Sequence, residues 1–318
     1  MAGFKKKTSK KGLIVPAMIA VPVFVAIALL LFTMGQDMPV LNPQGAVGVK
    51  ELDLIKFTLL LSVVVVVPVF AMLGIFAWKF REGNDKAKYT PDVDSNRWLE
   101  ALWWGVPIVI IGILSVVTWV TTHDLDPQKA LASNVAPLRV QVVALQWKWL
   151  FIYPDQHIAS MNELKIPTGT PVNFEITADA PMSAFWIPSL GTQVYAMQGM
   201  VSKLSLIADH PGTYRGTNSN INGKGYSSMN FNAIALDSRR DFDLWAQSVI
   251  NQPEQSHVNL DWAKYMELKQ PSEGDLPVYY HMHDDDVYTK AVNQYLSADQ
   301  KMPVEQTHEH THDDGDAH

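Results

Sequence analysis

The sequence contains no cysteine. That absence excludes disulfides, thiolate metal centres, iron–sulfur clusters, a cysteine nucleophile and a lipid-bearing cysteine. Positive charge is also in short supply: 25 lysines and arginines face 32 aspartates and glutamates, a net charge of −7. Nucleic acid, which needs a basic face, is therefore not a partner that this composition supports. Charge of either sign is missing from three stretches, 12–36, 57–78 and 101–122. Each reaches the roughly 20 residues needed to cross a bilayer. One such run could be a buried core helix, but three in succession read as membrane segments. The 318 residues, enough for one or two domains with a real core, thus fall into two unlike parts. An apolar N-terminal third precedes a remainder that holds most of the acid.

What is present around the uncharged runs sets their orientation. Trp78, Trp98, Trp103, Trp104 and Trp119 stand at or near run ends, where interfacial aromatics collect. The leader "MAGFKKKTSKK" is basic, so the N-terminus is expected in the cytoplasm. The loop after the second run holds Lys79, Arg81, Lys86, Lys88 and Arg97 and is expected there too. Three crossings then place 123–318 outside the cytoplasm. The first run fits two readings, an uncleaved anchor or a cleaved signal, since Thr33 and Gly35 offer small residues near its end. Pro68 and Pro107 inside the later runs read as kinks tolerated by neighbouring helices.

From Pro137 the texture changes to short, partly alternating stretches broken by Pro and Gly, such as "LRVQVVALQWKWLFIY" and "PTGTPVNFEITADA". "VSKLSLIADHPGTYRG" reads as strand, turn, strand, and "NFNAIAL" as a closing strand. Several strands without intervening helices argue a β-sandwich or small barrel. After Asp237, "DFDLWAQSVI" and "LDWAKYMEL" show helical spacing. The tail "THEHTHDDGDAH" is a low-complexity polar terminus and is expected to be disordered. "HMHDDD" at 281–286 is not read as a site. The expected organisation is a basic leader with signal or anchor (1–36), then a transmembrane hairpin (37–122) with a cytoplasmic loop (79–98). An extracytoplasmic sandwich (123–237), a C-terminal helical region (238–300) and the tail (301–318) follow.

One loop has an unusual pattern. In "YRGTNSNINGKGYSSM", Asn218, Asn220 and Asn222 recur at every second position, Tyr226 follows, and Met229 closes the run. The spacing suits convergence on a metal, but only Met229 is a good ligand for a soft one; asparagine offers a hard carbonyl oxygen and an amide donor.

With "SAFWIPSLGTQVYAMQGM" upstream of it, this loop resembles the cupredoxin-like domain of subunit II of the haem–copper oxidases. Members that oxidise cytochrome c carry C-x-E-x-C-x-x-x-H-x-x-M there, the ligands of a dinuclear copper centre. The resemblance places the cysteines on Asn218 and Asn222, the glutamate on Asn220, the histidine on Tyr226 and the methionine on Met229. The upstream histidine falls on Ser183. With thiolates and imidazoles gone, these are expected to be vestigial copper-site positions that bind no metal. The asparagines are expected to hydrogen-bond the loop into the shape copper once enforced.

That departure narrows the resemblance to ubiquinol oxidases of the cytochrome bo3 type, which lack this centre. "LNPQG", "FAWKFR", "DKAKYTP", "LEALWWGVPIVII" and "LQWKWLFIYPDQHIASMNEL" fit it in order, from about residue 41 to 237. The resemblance implies subunit II of a proton-pumping complex of the bacterial inner membrane, multi-pass, with its β-domain periplasmic. Ubiquinol would be the substrate of the complex. Haems and copper would lie in a large subunit I, with smaller membrane subunits, lipid and no cytochrome c as further partners. This chain would hold no catalytic residue or cofactor of its own and would serve assembly. Glu100, by the same resemblance, would mark a proton-pathway entrance; read as a residue alone, it is an acid favoured near a helix N-terminus. Trp147 and Trp149 would correspond to an electron-entry segment, but with no acceptor metal behind them they read as packing residues. A reading from another class is a membrane-anchored module whose outer domain binds a ligand or partner.

Overall fold

The structure is a computed structural model that describes residues 38–81, 84, 96–251, 258–282 and 286–303. The first uncharged run, most of the 79–98 loop and almost all of the tail lie outside the described residues. So do His283, Asp284 and Asp285 of "HMHDDD".

The second and third runs form helices α1 (Ala46–Lys79) and α2 (Arg97–Asp124). At 1.5 Å per residue these span about 51 Å and about 42 Å, more than a hydrocarbon core requires. Residues 63–67 are five successive valines, which in water would favour a strand. In lipid a helix satisfies every backbone group internally, and that requirement outweighs side-chain preference. Side chains such as Leu60, Phe70, Trp104 and Trp119 point away from the rest of the chain. Asn96 caps α2, accepting hydrogen bonds from the backbone nitrogens of Trp98 at 3.0 Å and Leu99 at 3.3 Å.

Eleven strands among the described residues build two packed sheets. The first has the order β11-β3-β2-β1-β5-β8 and the second β4-β10-β9-β6-β7. The first comprises β1 (Leu138–Leu145), β2 (Lys148–Tyr153), β3 (Ile158–Met161), β5 (Val172–Ala178), β8 (Ser202–Leu206) and β11 (Val278–His281). The second comprises β4 (Glu163–Pro167), β6 (Ser183–Trp186), β7 (Val194–Ala196), β9 (Gly212–Asn218) and β10 (Asn230–Leu236). Parallel pairs β1/β5 and β4/β10 sit among antiparallel ones.

The incomplete alternation of β1 and β2 has a physical cause. Val140, Val142, Trp149 and Phe151 enter the core between the sheets, while Val143, Leu145, Leu150 and Ile152 enter a second core outside the first sheet. A sheet covered on both faces reads as a nearly continuous apolar run. The C-terminal region supplies the cover. The expected helices are present as α3 (Arg239–Ile250) and α4 (Trp262–Leu268). The same region also contributes two elements that its helical spacing did not indicate. Strand β11 pairs antiparallel with β3, and a third helix, α5 (Val287–Asn293), buries Val287, Tyr288, Ala291 and Val292.

The membrane hairpin is fastened to the sandwich by backbone. Gln44 N–H donates to Ser189 O at 2.7 Å and Gly48 N–H to Leu190 O at 3.1 Å, while Asp209 N–H donates to Gln44 O at 2.8 Å. A Cβ at Gly45 would sit 2.2 Å from Ile207 O, so only glycine permits this approach. The "LNPQG" and "PSLG" stretches are thus two halves of one joint.

Candidate functional site

Strands β6 and β9 lie side by side, with Phe185 opposite Asn218 and Trp186 opposite Thr217. This register sets Ser183, at the start of β6, beside the loop that leaves β9. The loop returns through a short 3-10 turn at Tyr226–Ser228 to Met229, whose carbonyl accepts from Asn218 N–H at 3.1 Å. Four of the six expected positions become buried together: Ser183, Asn218, Asn222 and Met229.

Amide hydrogen bonds hold the cluster. Asn218 Oδ1 accepts from Ala184 N–H at 2.8 Å and Asn220 N–H at 3.0 Å, and its Nδ2 lies 3.4 Å from Met229 Sδ. Asn222 Nδ2 donates to Ser183 Oγ at 2.9 Å and lies 3.4 Å from the same sulfur. Asn220 turns outward, its Nδ2 donating to Met182 O at 2.8 Å. Tyr226 joins through its backbone, donating to Gly223 O and accepting from Met229 N–H. Every link is a neutral hydrogen bond, worth about 0.5–1.5 kcal/mol net.

Beneath the loop lies Trp147, in the two-residue turn between β1 and β2. Its backbone is left-handed at φ 65°, an uncommon conformation for a bulky residue that costs about 1–2 kcal/mol. The surroundings hold it there. Trp147 Nε1–H donates to Asn222 O at 3.4 Å, and a Cβ at Gly225 would lie 2.4 Å from the indole ring. The loop can lie on the ring only with glycine at 225. Trp149, by contrast, is fully buried among Phe185 and Phe231. Both tryptophans therefore pack, as their side chains alone suggested. The support that Trp147 gives the loop had one local signal, the glycines on either side of Lys224.

The donor set does not fit a dinuclear copper centre. Such a centre needs soft thiolates and imidazoles; the buried groups here are two carboxamides, one hydroxyl and one thioether. Among the described residues no cluster of three or more His, Asp or Glu side chains is placed to hold a metal ion. Glu100 is nowhere near this cluster. It lies half-buried in the first turn of α2, 24 residues before Asp124, or about 36 Å along the helix axis from the end that meets the sandwich.

The family model for "Cytochrome C oxidase subunit II, periplasmic domain" matches residues 156–236. The chain is similar to "Cytochrome bo(3) ubiquinol oxidase subunit 2" of Pseudomonas aeruginosa, 44% identical over 261 residues, 82% of this chain and 77% of that one. It is similar to "Ubiquinol oxidase subunit 2" of Acetobacter aceti, 43% identical over 78% of this chain and 80% of that one. Among solved structures, the periplasmic domain of subunit II of cytochrome oxidase from Bradyrhizobium japonicum overlaps it at 19% identity and a TM-score of 0.35. That overlap covers 38% of this chain and 96% of the other.

Proposed function

This chain belongs to the subunit II family of the ubiquinol oxidases, and from that premise we propose that it serves its complex without redox chemistry of its own. The chain is a membrane-anchored subunit of an oxidoreductase that oxidises ubiquinol. The observation that supports a non-redox role is the buried cluster itself. The Asn222 carboxamide donates to Ser183 Oγ, and the Asn218 and Asn222 carboxamides both contact the Met229 sulfur, so hydrogen bonds hold the loop where, by the resemblance, members that oxidise cytochrome c carry copper ligands. In this reading Ser183, Asn218, Asn220, Asn222, Tyr226 and Met229 are vestigial copper-site positions. The sandwich assembles with a large subunit I that carries the haems and copper, with smaller membrane subunits beside it. The sandwich faces the periplasm, and the helices cross the bacterial inner membrane.

Two measurements test this. A tagged chain extracted in mild detergent is expected to bring b- and o-type haem absorption with it. A chain that purifies free of haem while its outer domain captures another ligand would favour the binding-module reading. Copper loading of the chain shortened to end at Gln306, followed by dialysis, is expected to leave no bound copper. Retained copper with a mixed-valence spectrum would overturn the non-redox role.

Glu100 is proposed to stand at a proton entrance on the side of the membrane opposite the sandwich. Its place in the first turn of α2, half-buried at the far end of the helix, supports that reading. A carboxylate there can collect and relay protons. Glu100→Ala is expected to lower quinol oxidase turnover several-fold at unchanged haem content and complex yield, with Glu100→Asp retaining part of the rate. Unchanged turnover between pH 5 and 8 would reduce Glu100 to a helix-terminal charge.

A further inference from the structure

The first turns of α1, the last residues of α2 and the linker that follows it line an open cavity of about 240 Å³ against β8, its charged side chains exposed. Val47, Leu125 and Leu131 give it an apolar wall, and Lys50, Lys129, Asp124 and Asp126 bring two charges of each sign. Lys129 Nζ donates to Asp124 Oδ1 at 3.0 Å and to His123 O at 3.3 Å. Lys50 acts on Asp124 only from a greater distance and has no ion-pair partner within 4 Å among the described residues. One Asp126 oxygen accepts from Gln128 N–H at 3.0 Å.

The height of this cavity relative to the bilayer follows from the helices. The uncharged run of α2 ends at Thr122, two residues before Asp124. That of α1 begins at Phe57, seven residues past Lys50, about 10 Å along the axis. The charged groups therefore lie about 3 Å (Asp124) to about 10 Å (Lys50) beyond the hydrocarbon edge, across the headgroup layer of about 5–8 Å and its outer margin. Beyond those points both helices continue into uncharged runs whose apolar side chains are exposed.

We propose that this cavity seats the headgroup of a zwitterionic phospholipid, its phosphate on Lys50 and Lys129 and its primary ammonium on Asp126. The balance of two cations and two carboxylates argues for a headgroup that carries both signs. A purely anionic one would meet the aspartates without compensation. The apolar wall and the position at the hydrocarbon edge argue for a lipid over a free phosphate ion. The site lies outside the asparagine cluster and does not depend on whether that cluster ever binds metal.

Native mass spectrometry of the full-length chain, delipidated in mild detergent and then given phosphatidylethanolamine, tests the assignment. One lipid per chain is expected to be retained. Binding should weaken about thirtyfold when both lysines are neutralised in the Lys50→Gln, Lys129→Gln variant, the combined effect of two near-surface lysines. The Lys50→Arg, Lys129→Arg variant is expected to restore it, which separates lost charge from lost fold. Equal retention by the neutralised variant would overturn the site. Equal binding of phosphatidylglycerol would overturn the zwitterionic assignment, and displacement by millimolar inorganic phosphate would make it a free-phosphate site instead.

Discussion

Replacing five side chains is expected to turn this metal-free domain into a copper protein: Ser183→His, Asn218→Cys, Asn220→Glu, Asn222→Cys and Tyr226→His, with Met229 unchanged. The geometry already supplies what ligand chemistry lacks. The nitrogens of Asn218 and Asn222 both lie 3.4 Å from Met229 Sδ, and Ser183 Oγ is 2.9 Å from Asn222. Sulfur in place of the two carboxamides would put soft donors at converging positions, which copper favours. Register is the critical condition, since a slip of one residue would turn every ligand to the other face. Here it is fixed by the pairing of Phe185 with Asn218 and by the bond from Asn218 N–H to Met229 O. The expected readout is thiolate-to-copper absorption and stoichiometric copper by elemental analysis. Tyr226 is the least prepared position, because it meets the cluster only through its backbone. A four-substitution variant that keeps Tyr226 is therefore expected to hold copper more weakly. A folded five-substitution variant that takes up no copper would show that the loop no longer keeps its relatives' geometry.

The largest stability effect is expected at Asp179. Its side chain is fully buried, between the end of β5 and the C-terminal region. Tyr265 OH donates to one carboxylate oxygen at 2.7 Å, Tyr295 OH donates to the other, and Lys269 Nζ pairs with it at 2.7 Å. Burial, reinforced by the nearby carboxylate, pushes the ionisation of both tyrosines well above the usual range, so they remain donors. Removing one partner of a buried ionic network leaves the others without compensation, at a cost of about 3–5 kcal/mol. Asp179→Ala is expected to lose stability in that range by urea unfolding, and the segment 262–296 is expected to become protease-sensitive first. Asp179→Asn keeps an acceptor for a tyrosine but not the charge facing Lys269, so it should fall between. A loss below about 1 kcal/mol for the alanine variant would mean that the second core alone holds the C-terminal region in place.

These two sites differ in how visible they are along the chain. Asn218, Asn222 and Met229 lie within twelve residues, and their spacing alone raised the question of convergence. Ser183 is 39 residues from its partner Asn222, and nothing in its own surroundings singles it out; only the family resemblance pointed to it. Asp179 was not legible at all. Its partners Tyr265 and Tyr295 are 86 and 116 residues away, and an isolated aspartate in "TADAP" looks like an ordinary turn residue. Lys148 is similar: in "QWKW" it reads as the exposed member of an alternating strand, yet it is buried and paired with Asp275 at 3.4 Å.

What the sequence determined by itself is whatever depends on neighbouring residues. Uncharged runs of bilayer length must become helices in lipid, because no other structure satisfies the backbone there. The absence of cysteine settles the thiolate chemistry without any structure. Alternation with turn signals gave the strands of the sandwich, and three-to-four spacing gave α3 and α4. Tertiary structure alone decided which distant groups meet. It closed β11 onto β3, covered the first sheet on its second face and forced Trp147 into a left-handed turn beneath the asparagine loop. Those outcomes follow from packing the whole chain at once. A buried polar group must find a partner, but which of several candidates it finds depends on how the strands and helices close around it.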